Sequence, residues 1–246
     1  MSPLASAFNY VITATTIVAI WTPGAVIIGT DGKAIRGGDL ARPEAICKVH
    51  IRNNVAIAFT DFIGSPYSGF FALDYASTAV DGDGPFDKKV AEFERLVSEP
   101  LSKAVNVIRT TNPQGYSRDF LGKSLLQAVF AGFDGDTPRM KYLRFDIDES
   151  QTPVRAAVTQ RVEFPSRGEV SPVWPLGRNA AILDYLKTNA GFYESALSNP
   201  RAEVHKLIEL QINAEPDWVG YPITIVRITK GGPVWLEVPP ECKQNN

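Results

Sequence analysis

Thr13-Ala14-Thr15-Thr16-Ile17-Val18-Ala19-Ile20 and Ala25-Val26-Ile27-Ile28-Gly29-Thr30-Asp31-Gly32-Lys33 decide the reading of this chain. Both runs are rich in β-branched residues, and Pro23-Gly24 between them is a turn signal, so they form a hairpin of two strands over 15–21 and 25–31. A hydroxyl at the head of one strand and a carboxylate at the end of its partner can then lie side by side. That layout suits a threonine nucleophile exposed at the start of a mature chain.

Working outward, Cys47–Ile51 and Val55–Phe59 make a second strand pair, joined at Arg52-Asn53-Asn54, whose asparagines favour a tight turn. Phe70, Leu73, Ala76 and Val80 follow a helical period, broken at Asp81-Gly82-Asp83-Gly84. A longer helix opens near Pro85 and carries a stripe from Val90 to Ile108; Pro100 inside it predicts a kink or a split. Strands follow at Leu125–Phe133, Arg139–Ile147 and Val154–Phe164. Helices follow at Asn179–Leu186 and from Pro200 to Ile212. A last hairpin spans Pro222–Thr229 and Pro233–Val238 around Lys230-Gly231-Gly232. Grouped strands and grouped helices predict an α+β chain with two sheets packed face to face and helices outside them.

The composition is that of an ordinary globular chain: 246 residues, 44% hydrophobic and 21% charged. A net charge of −2 carries no electrostatic footprint for nucleic acid. The apolar run from Thr16 to Trp21 is too short to span a bilayer. His50 and His205 have no paired spacing, so no metal site and no cofactor are expected. Cys47 and Cys242, far apart in sequence, read as two separate thiols; a bridge between them is open if the chain is exported. Ala5-Ser6-Ala7 resembles the tail of an export signal but lacks the basic and apolar regions that precede one, so the compartment stays open between cytoplasmic and exported.

Thr15-Thr16-Ile17-Val18-Ala19, Val26-Ile27-Ile28-Gly29-Thr30-Asp31-Gly32-Lys33-Ala34, Cys47-Lys48-Val49-His50, Ala131-Gly132-Phe133-Asp134-Gly135 and Val219-Gly220-Tyr221-Pro222 stand in this order. In order and spacing they resemble the motifs of proteasome subunits, members of the N-terminal nucleophile (Ntn) hydrolase superfamily, in a divergent, bacterial-like form. The resemblance implies a four-layer α-β-β-α sandwich of two mainly antiparallel sheets over 15–246. Residues 1–14 are then an N-terminal extension, either a propeptide or the remnant of an export signal. It implies catalytic roles for Thr15, Asp31 and Lys48, with Asp217 and Gly177 as possible supporting residues. It also implies a peptide or amide substrate, and a homo-oligomer or ring as the assembly.

Taken singly, each of these residues has a plainer role: Thr15 and Thr16 as strand formers, Asp31 before Gly32 as a turn residue, Lys48 as an edge-strand lysine. The chain also departs from the family's pattern. Ala14 stands where active members carry glycine before the nucleophile. Phe59-Thr60-Asp61-Phe62 replaces the glycine-rich turn that supplies an oxyanion donor. No serine stands near Leu176-Gly177-Arg178, and Val219 replaces the serine after Asp217. The expectation is therefore a threonine-type hydrolase, with a non-catalytic subunit that retains the fold as the alternative. Ser2, Ser6, Thr13 and Thr16 are weaker candidates for the nucleophile.

Overall fold

The computed structural model describes residues 10–13, 15–34, 44–166 and 171–243. The opening run forms β1 (Val11–Thr13), β2 (Thr16–Thr22) and β3 (Ala25–Asp31). Strands β2 and β3 pair antiparallel from Ile17↔Thr30 to Thr22↔Ala25 around Pro23-Gly24, and the Thr22 hydroxyl closes the turn on Ala25. Next come β4 (Lys33–Ala34), β5 (Glu44–Ala45), β6 (Val49–Arg52), β7 (Val55–Ser65) and β8 (Phe70–Phe71). The β6–β7 turn holds Asn53 and Asn54 at φ 48° and 61°, the left-handed region that asparagine tolerates.

Helices α1 (Ala72–Asp81), α2 (Phe86–Thr111) and α3 (Pro113–Asp119) lead to β9 (Ser124–Asp134), β10 (Thr137–Asp148), β11 (Arg155–Phe164) and β12 (Val173–Gly177). Helices α4 (Ala180–Thr188), α5 (Phe192–Ser198) and α6 (Pro200–Ala214) follow. Then come β13 (Ile223–Thr229), β14 (Gly232–Glu237) and the short α7 (Pro240–Lys243). The chain is α+β with antiparallel sheets. The largest runs β1-β7-β9-β10-β11, with β6 and β8 also on β7; a second runs β12-β2-β3-β13-β14; β4 and β5 form a small third.

Three apolar clusters hold these elements together. Val55, Ile57, Phe59 and Phe130 pack against the apolar stripes of α1 and α2. Ile17, Ala19, Val26 and Ile28 meet Ala56, Ala58, Val129 and Ala131 from the other sheet. Val18, Ile20, Ile27 and Ile225 meet α4, α5 and α6. Alternate residues of β2 thus enter different clusters, as the two-residue period of a strand requires. Strand β3 is buried at every position, which places Asp31 at the end of a dry strand. Gly29 lets α6 approach β3: a β-carbon there would lie 2.2 Å from a Val204 methyl. Among the described residues no helix is long and apolar enough to cross a membrane.

Several expectations are corrected. Helix α2 is not split at Pro100; it runs unbroken because Val90, Phe93, Val97, Leu101, Ala104, Val105 and Ile108 form one buried stripe. That burial outweighs the roughly 3 kcal/mol an internal proline costs. Cys47 and Cys242 are not separate thiols but a disulfide, with Cα atoms 4.8 Å apart. α7 brings Cys242 back to the segment before β6, a tertiary contact that a separation of 195 residues conceals. The sequence reading also lacks β1, β12, α3 and α5. Strand β12 contains Pro175 and lies at a sheet edge, where a missing N–H is tolerated. Residues 11–13 form a strand of the larger sheet. The Ala5-Ser6-Ala7 tail lies outside the described residues.

Candidate active site

Thr15 sits between β1 and β2, with no solvent exposure. Both neighbouring sheets fix its main chain. Its carbonyl accepts the Arg178 N–H at 3.0 Å and lies 3.5 Å from the Thr60 hydroxyl, which is 3.3 Å from the Thr13 carbonyl. Gly177 makes this approach possible. It adopts φ +69°, and a β-carbon there would lie 2.0 Å from the Thr15 carbonyl oxygen. The Thr15 hydroxyl is buried and has no hydrogen-bond partner among the described residues; the Thr13 and Thr30 hydroxyls share that condition. Thr16, by contrast, donates its hydroxyl to the Arg178 carbonyl at 2.6 Å.

The Asp31 carboxylate collects four donors. Its Oδ1 accepts the Thr16 N–H and the Lys48 ammonium, each at 2.9 Å. Its Oδ2 accepts the Lys33 and Gly220 N–H groups, each at 3.2 Å. Asp31 therefore grips the residue that follows Thr15 and holds Lys48 beside the same junction. Both ionisable side chains are buried, at 3% and 0% exposure. Burial pushes the Asp31 carboxyl upward, against the opposing pull of Lys48 and the backbone N–H groups. The same burial pushes the Lys48 ammonium downward, against the pull of Asp31. The two shifts run in opposite directions from one cause, the loss of water around both charges.

Three of the sequence-derived residues, Thr15, Asp31 and Lys48, thus gather at the β2–β3 end, and Gly177 abuts Thr15. Asp217 is exposed in the loop before β13. That loop serves the site through its backbone: Gly220 gives its N–H to Asp31 and its carbonyl to the Gly32 and Lys33 N–H groups. Ser2 and Ser6 lie outside the described residues. Of the aromatic side chains near the first helix, Phe70 is buried while Tyr67 and Phe71 are exposed.

The Phe59–Phe62 segment passes along β7 with Asp61 at φ +73°, a conformation glycine adopts freely and aspartate tolerates. The Asp61 carboxylate accepts from Gln127 Nε2 at 2.9 Å, and Tyr142 donates to Gln127 Oε1 at 2.9 Å. Sequence reasoning missed the Gly220, Lys33 and Arg178 main-chain groups, because backbone donors and acceptors leave no residue-type signal. It also missed the link from Asp61 to Gln127 and Tyr142, which spans three strands.

Among the described residues no group of His, Cys, Asp and Glu is placed to hold a metal ion. No family model matches the chain, and no curated protein matches it.

Proposed function

We propose that this chain is a proteasome-type Ntn hydrolase with an α-β-β-α sandwich, and that Thr15 becomes its nucleophile once residues 1–14 are removed. One observation carries the reading. A buried threonine hydroxyl without a partner among the described residues immediately precedes a residue held by a buried carboxylate that accepts from three backbone N–H groups and one lysine. A structural ion pair alone does not call for an unsatisfied hydroxyl at its side.

The chemistry follows from the groups present. The freed Thr15 α-amine, with an ordinary pKa of roughly 7.7–8.0, takes the hydroxyl proton as the oxygen attacks the amide carbon. The positive charge of Lys48 lowers the affinity of that amine for a proton, and Asp31 orients Lys48. The C–N bond breaks, the amine leaves with the proton, and the acyl group stays on Thr15 as an ester. Water then hydrolyses the ester.

A second reading, a non-catalytic subunit that keeps the fold, is favoured by β1. Strand β1 pairs with β7 at Ile12↔Phe62 and Thr13↔Asp61 directly before Thr15. Tyr10 anchors its start through hydrogen bonds to Asp119 and Arg118. Intact mass and N-terminal sequencing of the purified chain separate the two. Under the hydrolase reading the mature chain begins at Thr15 and a β-lactone probe acylates it. A chain that keeps residues 1–14 and ignores the probe is the non-catalytic subunit.

A further inference from the structure

A cavity of about 540 Å³ opens between β10, β12 and the α4–α5 pair, with Gly177 in its wall. The Thr15 carbonyl lies directly behind that glycine. Tyr142 and Trp174, with ring centroids 5.7 Å apart, form an aromatic surface, and Tyr193 adds a third ring. Arg144 and Lys187 bring positive charge, while no aspartate or glutamate stands among the described lining residues.

Arg144 is the decisive group. Only its Nε is engaged, at 2.9 and 3.1 Å from the Asp146 carboxylate. Its two terminal nitrogens, with four N–H donors, make no hydrogen bond to the described residues, and they form the fork that matches a carboxylate. Three of the other polar lining groups are committed elsewhere. The Tyr142 hydroxyl donates to Gln127, Gln127 donates to Asp61, and Lys187 pairs with Asp184 at 3.0 Å near the surface. The neighbouring anions Asp146, Asp61 and Asp184 are thus each turned to a named partner.

We infer that this cavity binds an aromatic carboxylate, its ring against Tyr142 and Trp174 and its carboxylate on the Arg144 fork. As a recognition site for the substrate of Thr15 it rests on the hydrolase reading; as a binding site it does not.

Calorimetric titration of the full chain with N-acetyl-phenylalanine and with its uncharged carboxamide tests it. The carboxylate is expected to bind roughly tenfold or more tightly than the amide, and Arg144→Gln to abolish that preference. Trp174→Ala is expected to weaken both probes while keeping their ratio. Arg144→Lys, which retains charge without the fork, serves if Arg144→Gln does not fold, and is expected to reduce the preference. Equal affinity of the two probes, no binding of either, or a preference that survives at Arg144 overturns the inference. Carboxylate binding without hydrolysis of N-acetyl-phenylalanine leaves the cavity standing as a binding site and removes its role in recognising the substrate of Thr15, while the hydrolase reading still turns on the mature N-terminus.

Discussion

Lys48 Nζ lies 2.9 Å from Asp31 Oδ1, and the two side chains have almost no contact with water. Removing one member of such a pair strands the other charge in the core. Lys48→Met is therefore expected to lower the unfolding free energy by about 3–5 kcal/mol. Asp31 retains three backbone donors, from Thr16, Lys33 and Gly220, so an uncharged acceptor at that position is still useful. Adding Asp31→Asn to Lys48→Met is expected to recover part of the loss. Urea unfolding of the two singles and the double gives the coupling directly. Additive losses would mean that the pair is not a unit.

Thr15 predicts the opposite balance. Its hydroxyl is buried and unsatisfied, so Thr15→Val, which keeps the shape and removes the polar atom, is expected to change stability by less than about 0.5 kcal/mol or to raise it. Under the proposed chemistry the same variant has no turnover. Thermal melts beside an amidase assay read both quantities. A large loss of stability would show that the hydroxyl has a structural partner, and retained turnover would move the nucleophile elsewhere.

These two residues also mark how far the sequence could be read. Strand alternation located β2, β3 and the hairpin between them, because a buried strand writes its period into residue type. It also placed Thr15 and Asp31 at one end of that hairpin, while Lys48 came from the family resemblance. Strand β1 was invisible because three residues carry no period, and β12 because Pro175 argues against a strand unless the edge position is known. The Asp31 donors from Lys33 and Gly220 and the Cys47–Cys242 bridge are products of tertiary folding, which no local pattern encodes.

Gly177 fits its place only as glycine. Both its φ of +69° and the 2.0 Å approach to the Thr15 carbonyl oppose any side chain. Gly177→Ala is expected to cost at least about 2–3 kcal/mol, combining left-handed strain with displacement of Thr15. Gly24, with nothing within 4 Å of its virtual β-carbon, is the control, and Gly24→Ala is expected to stay within about 0.5 kcal/mol. Chemical denaturation ranks the two. Equal effects would mean that β12 can retreat from Thr15.

The Cys47–Cys242 bridge closes a loop of 195 residues and ends one residue before Lys48. Loop-closure arguments give such a bridge about 2–5 kcal/mol. Reduction, or the double variant Cys47→Ala with Cys242→Ala, is expected to lower the urea midpoint accordingly. An unchanged midpoint, or two thiols titrating in the native protein, would show that the bridge does not form.

Asp61 supplies a prediction in pH. Burial raises its carboxyl above the ordinary value, outweighing the hydrogen bonds from its neighbours. The folded state then holds the proton more tightly than the unfolded chain does. The stability associated with this group is fully present below the unfolded pKa, near 4, and is lost as pH rises through the folded value. Asp61→Asn keeps a residue that tolerates φ +73° and keeps an acceptor for Gln127, but it cannot ionise. Relative to the parent chain, the variant is expected to gain stability as pH rises above 4 and to show no gain at lower pH. Unfolding free energies measured from pH 3.5 to 8 test this. A difference that is flat with pH would mean that burial does not shift this carboxyl, and one that grows on acidification would mean that the Asp61 carboxylate is stabilised rather than penalised where it lies. In that case its contact with Gln127, and not burial, sets its charge.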